Sequence, residues 1–367
     1  MKGAAIFPGN RTLGVVTDVP EPGLASPTEV KLRVLQVGIC ATDREIAAFM
    51  FGTPPEGFDY LVPGHEGFAE VVETGPEVIG LTPGDLVVPT VRRPCDDPAC
   101  IACVNDRPDF CITGLYREHG ILSMHGFMTE FVVDEARYIR RVPAALRDVA
   151  VLVEPLTIAE KAFIQAEQIQ MRLPWNRSNG AGFAPHAVVL GAGPVGLLGA
   201  MALRVRGCQV TVYSREREPD PRADISRAIG ANYVSSLDCS PQQMAAGIGN
   251  IDLIYEATGS ALLALDMINV LGRNGVLILT GVPGAHQPEP IDVGALITNM
   301  TLKNQCLLAT VNAGNDAFDR AIEDLAAFCS LWPEAVRGII TGRFSLEQFE
   351  TPIRIAAGIK NIIEMAS

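Results

Sequence analysis

"VLGAGPVGLLGAMALRVRGCQVTVYSRERE", residues 189–218, sets Gly191, Gly193 and Gly196 between two apolar runs. Glycine at such spacing permits a tight turn after a strand, close approach of the backbone to a pyrophosphate, and close packing of the helix that follows. A lone G-x-G-x-x-G is weak, because ordinary strand-to-helix turns also use glycine. Here an apolar strand at 187–190 precedes the turn, a helix follows Gly196, and a second strand at 210–213 arrives at the expected distance. The stretch therefore reads as the first half of a dinucleotide-binding sheet, with Pro194 and Val195 inside the turn. One feature of the NAD version is missing. An Asp or Glu about 20 residues on should accept hydrogen bonds from the adenosine ribose, whereas this strand ends in Ser214-Arg215. A hydroxyl followed by a guanidinium suits a 2′-phosphate that a carboxylate would repel, so the expected cofactor is NADP, with NAD as the second choice. The plainer alternative makes Arg215 and Arg217 solvated partners of Glu216 and Glu218.

Beyond the turn, strand and helix alternate: a helix through 225–230, a strand at 253–257, a helix through 262–271 and a strand at 276–280. That alternation predicts a doubly wound parallel sheet. Thr258-Gly259 and Thr280-Gly281-Val282 fall at carboxyl ends of its strands, where a ligand crevice lies and a nicotinamide would rest. The first 150 residues look different. Short β-rich runs at 29–37, 67–74 and 85–88 are separated by Pro and Gly, which predicts a β-rich, loop-rich half. Residues 148–166 form a helix-like bridge and 171–185, rich in Asn, Gly and Pro, a loop. The expected division is 1–170 with the tail 315–367 in one domain and 171–314 in the other.

At 367 residues the chain exceeds what one core usually organises, and its 48% hydrophobic content is broken into short runs. No run approaches the roughly 20 apolar residues of a membrane span, and the start lacks a basic head with an apolar signal core. A cytoplasmic protein without a membrane role is expected. The net charge of −13, with no clustered Lys and Arg, argues against a nucleic-acid partner. Nine cysteines in such a chain are better read as thiols or metal ligands than as a disulfide framework.

Four of them form Cys95-x4-Cys100-x2-Cys103-x7-Cys111 in a polar segment. Four thiolates on one short loop match a closed, structural Zn²⁺ site, with the wide first gap making Cys95 the least regular ligand. A second set is dispersed: Cys40 in "GICATDREI", His65-Glu66 in "PGHEG" and Glu154 in "LVEPL". One thiolate, one imidazole and two carboxylates are the mixture expected of a catalytic zinc with an open position, giving two zinc ions per chain. Thr42, two residues past Cys40, could carry a proton away from a metal-bound alcohol.

At these residues the chain resembles the zinc-dependent medium-chain dehydrogenases/reductases over essentially its whole length. The matches are Gly38-x-Cys40-x-Thr42-Asp43, Gly64-His65-Glu66, the four-cysteine loop, Glu154-Pro155 and the glycine turn. Within that family "GICATDREI", "YREHGI", "HGFMTEF", "LVEPLTIAEKA" and the late "TVN" at 310–312 are similar to archaeal-type glucose dehydrogenases. The resemblance implies an α/β protein with a GroES-like catalytic domain, a Rossmann domain and an active site in the cleft between them. It implies catalytic zinc held by Cys40, His65 and a carboxylate from Glu66 or Glu154, and a sugar contacted by Thr42, Glu118, Glu154 and Asn312. The expected reaction is NADP-dependent oxidation of an aldose at C1 to its lactone, with a homo-oligomer as the usual assembly. A polyol, alcohol or threonine dehydrogenase is the nearest alternative, and a non-catalytic NADPH sensor a distant one. Ala41, Ile158 and Leu302 depart from the family pattern, and they bear on the sugar more than on the chemistry.

Overall fold

Alternating burial along the strand Glu29–Gly38 sends Val30, Leu32 and Val34 to one face, the pattern of a sheet with one side on a core. In the computed structural model, which describes residues 1–177, 185–284 and 290–365, that strand is central to a seven-stranded sheet. The order is Ile139–Arg141, Leu86–Pro89, Glu66–Thr74, Glu29–Gly38, Lys360–Glu364 and Ile340–Ser345, with Phe131–Glu135 also pairing onto Glu29–Gly38. The buried face packs Val71, Val87, Val132, Ile139 and Ile363 into one core. The end of the chain is part of this sheet, since Ile362 lies opposite Gly38 in antiparallel register.

The second sheet is parallel throughout. Its six strands run Asn232–Ser235, Gln209–Ser214, His186–Leu190, Leu253–Glu256, Val276–Leu279 and Cys306–Ala309. Strands buried on both faces read as unbroken apolar runs, as "AVVL" at 187–190 does. Val188, Leu190, Ile254 and Leu277 pack with Met267 and Ile268 from the helix Ala261–Val270. Helix starts carry their own caps: Asp220, Ser240 and Ser260 each accept a first-turn N–H.

Two compact units result: residues 1–157 with 312–326 and 340–367, and residues 158–311 with 327–339. The helix Val153–Gln170 carries the chain from one to the other. Residues 327–339 belong to the second unit, where the helix Pro333–Ile339 packs on Pro221–Ala228. In the stretch read as a loop, Pro174–Arg177 form a 3₁₀ turn and 178–184 lie outside the described residues. Among the described residues no helix is long and apolar enough to cross a membrane.

Candidate active site and metal centres

Cys40 follows directly on the central strand and caps the short helix Ala41–Ala47, so the turn from strand to helix fixes its thiol. The third helical residue, Asp43, returns to the cap: its Oδ2 accepts the Cys40 N–H at 2.8 Å. Its Oδ1 accepts the Gly64 N–H at 3.1 Å and faces His65 Nδ1 at 3.6 Å. Asp43 is fully buried. Burial opposes its charge, yet His65, the Cys40 N–H and Lys360 hold its carboxyl below the ordinary value. Burial likewise opposes a charged imidazole at His65, and Asp43 and Cys40 overcome it, raising that pKa well above the usual one.

The ligand atoms of Cys40, His65 and Glu66 lie within 4.8 Å of one another, and Thr42 Oγ1 is 3.8 Å from Cys40 Sγ. Glu66 forms a buried ion pair with Lys360, whose ammonium also donates to the Ile39 carbonyl at 3.0 Å. Glu154 is outside that three-residue cluster but buried in the same field of charge. Burial first, then Glu66 and Asp43 against His65 and Lys360, push its pKa to about 8. Sulfur, imidazole and carboxylate converging here, the last two buried, fit a divalent cation with a position left for a ligand.

Cys95, Cys100, Cys103 and Cys111 also bring their sulfurs within 4.8 Å of one another, Cys95 no less than the rest. Cys95 to Cys103 is 3.6 Å and Cys100 to Cys111 is 3.8 Å. Those are close to the ~3.8 Å edge of a tetrahedron built on ~2.3 Å Zn–S bonds, and far above a ~2.05 Å disulfide bond. All nine cysteines are free thiols. At Cys111, hydrogen bonds from Thr113 outweigh the cost of burial and bring the pKa down to about 6, while burial holds Cys103 up to about 12. Four such thiols become thiolates together only around a cation.

Glu118 is buried and accepts from two donors on one oxygen: Arg92 Nε at 2.9 Å and Asn312 Nδ2 at 3.0 Å. Arg92 is itself stacked on Tyr116 at 3.6 Å. The other Glu118 oxygen has no hydrogen bond among the described residues, which leaves it available to a hydroxyl-bearing ligand.

In the second unit Gly191 takes φ +96°, and a Cβ at Gly196 would meet the Gly191 carbonyl at 2.1 Å, so both positions require glycine. Gly193 caps the helix Pro194–Val205, leaving its first N–H groups open to an anion. Glu256, at a strand end, ties the neighbouring loops: its carboxylate accepts from Thr258 and Gly259 on one oxygen and from Gly281 on the other, while Thr280 Oγ1 donates to its carbonyl. Val282 is exposed beside Gly259. Ser214 differs from the expectation. Its hydroxyl accepts the Ala192 N–H at 3.2 Å and donates to Glu216 at 2.6 Å, so its proton is committed inside the protein. Arg215 is exposed, and Arg217 pairs with Asp238 at 2.8 Å and not with Glu216 or Glu218.

Sequence reasoning missed Lys360 and Arg92, cited Asp43 and Glu256 only as parts of longer segments, and took Glu216 only as a partner of solvated arginines. Asp43 had a signal in its place three residues after a helix cap. Lys360 had none.

Two family models match the chain: "Alcohol dehydrogenase GroES-like domain" over residues 26–144 and "Glucose dehydrogenase C-terminus" over residues 147–365. Glucose 1-dehydrogenase from Methanocella arvoryzae is 36% identical over 356 residues, 96% of each chain. That from Thermoproteus tenax is 39% identical over 329 residues, 89% of this chain and 88% of the other. Among solved structures, Haloferax mediterranei glucose dehydrogenase in complex with NADP, Zn and gluconolactone is similar at TM-score 0.88 and 34% identity, with both chains fully covered.

Proposed function

The chain belongs to the glucose dehydrogenase family of zinc-dependent medium-chain dehydrogenases/reductases, and from that premise we propose that it oxidises D-glucose at C1 to the aldonolactone, with NADP as hydride acceptor. The observation that carries the reading is the cluster of half-buried Cys40 with buried His65 and Glu66 beside the Thr42 hydroxyl. Zinc bound there supplies a Lewis acid for a substrate oxygen, and the nicotinamide supplies the hydride acceptor. A second zinc, on the four cysteines, supplies folding energy alone. The relatives named glucose 1-dehydrogenase and the Haloferax mediterranei complex with NADP, Zn and gluconolactone support this choice of substrate and cofactor.

The protein's own groups then have separate tasks. Asp43 holds Cys40 and His65 in register, and Lys360 neutralises the Glu66 carboxylate. Glu154, buried beside the cluster, can exchange a proton or a hydrogen bond with the ligand. Thr42 relays the proton that the C1 hydroxyl gives up: its Oγ1 accepts that proton as its own hydroxyl proton passes on toward bulk water. Glu118 accepts from sugar hydroxyls on its free oxygen, while Arg92 and Asn312 fix its orientation. A simple alcohol would bring no hydroxyl donor to the second Glu118 oxygen, which favours a polyhydroxylated substrate. The glycine turn would hold the pyrophosphate common to both nicotinamide cofactors, and Arg215 would meet the 2′-phosphate of NADP.

The test is absorbance at 340 nm with D-glucose, galactose, xylose, sorbitol, threonine and ethanol, each with NADP and with NAD, beside metal analysis. Aldose turnover and about two zinc ions per chain are expected. Turnover confined to polyols, threonine or ethanol overturns the substrate, and one zinc per chain removes one of the two sites.

A further inference from the structure

The acid missing from Ser214-Arg215 is supplied by the chain two residues further on. Glu216 Oε2 accepts the Ser214 hydroxyl proton at 2.6 Å, and the same hydroxyl accepts the Ala192 N–H, which lies inside the glycine turn between Gly191 and Gly193. One serine therefore links this carboxylate to the turn. Behind it, the Tyr233 hydroxyl donates to the Glu216 carbonyl at 2.8 Å and anchors its backbone. Glu216 is half-buried, whereas Arg215 is exposed and makes no ion pair among the described residues. Arg217, the other cation of the run, is turned to Asp238. The tip of the strand Gln209–Ser214 thus presents one fixed carboxylate and one exposed guanidinium.

Those two groups favour opposite ligands. A carboxylate fixed beside the end of this strand is a charge-assisted acceptor for a ribose hydroxyl and a like-charge neighbour for a phosphate. The guanidinium reverses both preferences, though from an exposed position where solvent weakens it. We infer that Glu216 is a cofactor-specificity residue, which accepts the free 2′-hydroxyl of NAD, opposes the 2′-phosphate of NADP and makes the protein use both cofactors. The inference rests on the dehydrogenase reading above and deepens its assignment of the cofactor. Ser214 is a positioning residue in it, acting through the carboxylate it holds.

Two readouts test it on the zinc-loaded full chain. The first is the dissociation constant of NADPH and of NADH, from their own fluorescence in the absence of sugar, and the second is kcat/KM with NADP and NAD. The wild type should bind the two within roughly tenfold, because the fixed carboxylate and the exposed guanidinium pull toward opposite cofactors. Glu216→Gln keeps the shape of the side chain and a hydrogen-bond acceptor but removes the charge. It should move the binding ratio toward NADPH by about 10- to 100-fold, the effect of one charge-assisted contact. Ser214→Ala, which frees the carboxylate from the turn, should move the ratio the same way by less. As a check on both, thermal shift with 2′-phosphorylated AMP against AMP should show the same move toward the phosphorylated ligand without the nicotinamide. A Glu216→Gln ratio equal to the wild type's in binding overturns the inference, even where glucose is turned over. A shifted ratio in a protein that oxidises no aldose overturns the sugar assignment and leaves Glu216 in its role.

Discussion

Asp43 accepts the N–H groups of both Cys40 and Gly64 while facing the His65 ring, so one carboxylate orients two of the three candidate ligands. Partners behind a ligand typically contribute 10- to 100-fold in metal affinity. Asp43→Asn keeps the size and one accepting oxygen, but it turns an amide NH2 toward one of the two N–H donors and loses the charge that faces the imidazole. We expect a folded protein whose zinc competition titration shows one site weakened by about 10- to 100-fold, with the other unchanged. Equal affinity at both sites before and after would show that Asp43 is a structural cap only. Glu118 is a different case, since it belongs to ligand contact and not to metal binding. Glu118→Gln should raise KM for every accepted sugar by about tenfold, the loss of a hydrogen bond to a charged group, with zinc content unaltered. Unchanged KM values would remove Glu118 from the sugar pocket. Asp43 was within reach of the sequence, because an acid three residues after a cap has a known task. Glu118 was reached by resemblance alone, and the Arg92 and Asn312 that orient it come from residues distant along the chain.

At the scale of elements, the strand Glu29–Gly38 ends where three strands bring their side chains together. A Cβ at Gly38 would sit 2.0 Å from Glu66 Oε2 and 2.9 Å from Lys360 Cε. Gly38→Ala should therefore displace the Glu66–Lys360 pair, lowering bound zinc from about two to about one per chain while the four-cysteine loop keeps its ion. Full zinc content in that variant would show that the pair shifts at no cost. The loop responds in the opposite way. Its helix Ile101–Val104 is only four residues long and its buried apolar group is little more than Cys95, Cys100 and Ala102, so metal replaces a core there. Cys103→Ser should aggregate or melt well below the wild type, and a normal melting temperature would make the loop's metal dispensable. The glycine turn, the parallel strands and the four-cysteine loop were legible because each depends on residues near in sequence or on a fixed period, whereas the dispersed Cys40, His65 and Glu66 were reached through their residue types and the resemblance. The Lys360–Glu66 pair was not, because antiparallel pairing of the last strand with the central one brings them together, and no local pattern encodes a partner so far along the chain. Glu216 was overlooked for a smaller reason: it stands two residues past the expected position, and only the Ser214 bridge shows that it returns to the turn.

For the whole molecule, 42 acids against 29 bases place the isoelectric point near 4.9, so mild acid removes the repulsion that keeps copies apart. Acid also acts on the fold, through two groups. Asp134 is buried, and although burial opposes its charge, Arg93 and His119 hold its carboxyl well below the usual range. Its stabilising contribution is present above the ordinary Asp value of about 3.9 and is lost as pH falls through and below it. His125 titrates at higher pH. Burial, then the charge of His119, lowers its pKa to about 4, while Nδ1 accepts the Val62 N–H and the ring stacks on Tyr60 at 5.2 Å. An unfolded chain with an ordinary His of about 6.5 then binds the extra proton between pH 6.5 and 4, so stability falls as pH drops through that window and is level above it. Through these two groups the melting temperature should hold from pH 8 to 7 and decline from about 6.5 downward, more steeply below 4 as Asp134 joins. Zinc-loaded protein is used, because His65 and Glu154 without metal have raised pKa values that would add the opposite trend. Protonation of the cysteines would also loosen bound metal in this range, so a variant must separate the causes. His125→Asn retains an acceptor near the position of Nδ1 but cannot take up the proton. Its melting temperature should lie below the wild type's at pH 7.5, from lost ring packing, and the gap should narrow by pH 5. The measurement belongs at low protein concentration, where loss of net charge does not precipitate the sample. A gap that stays constant from pH 7.5 to 5 would show that His125 is not the group that makes this fold sensitive to mild acid.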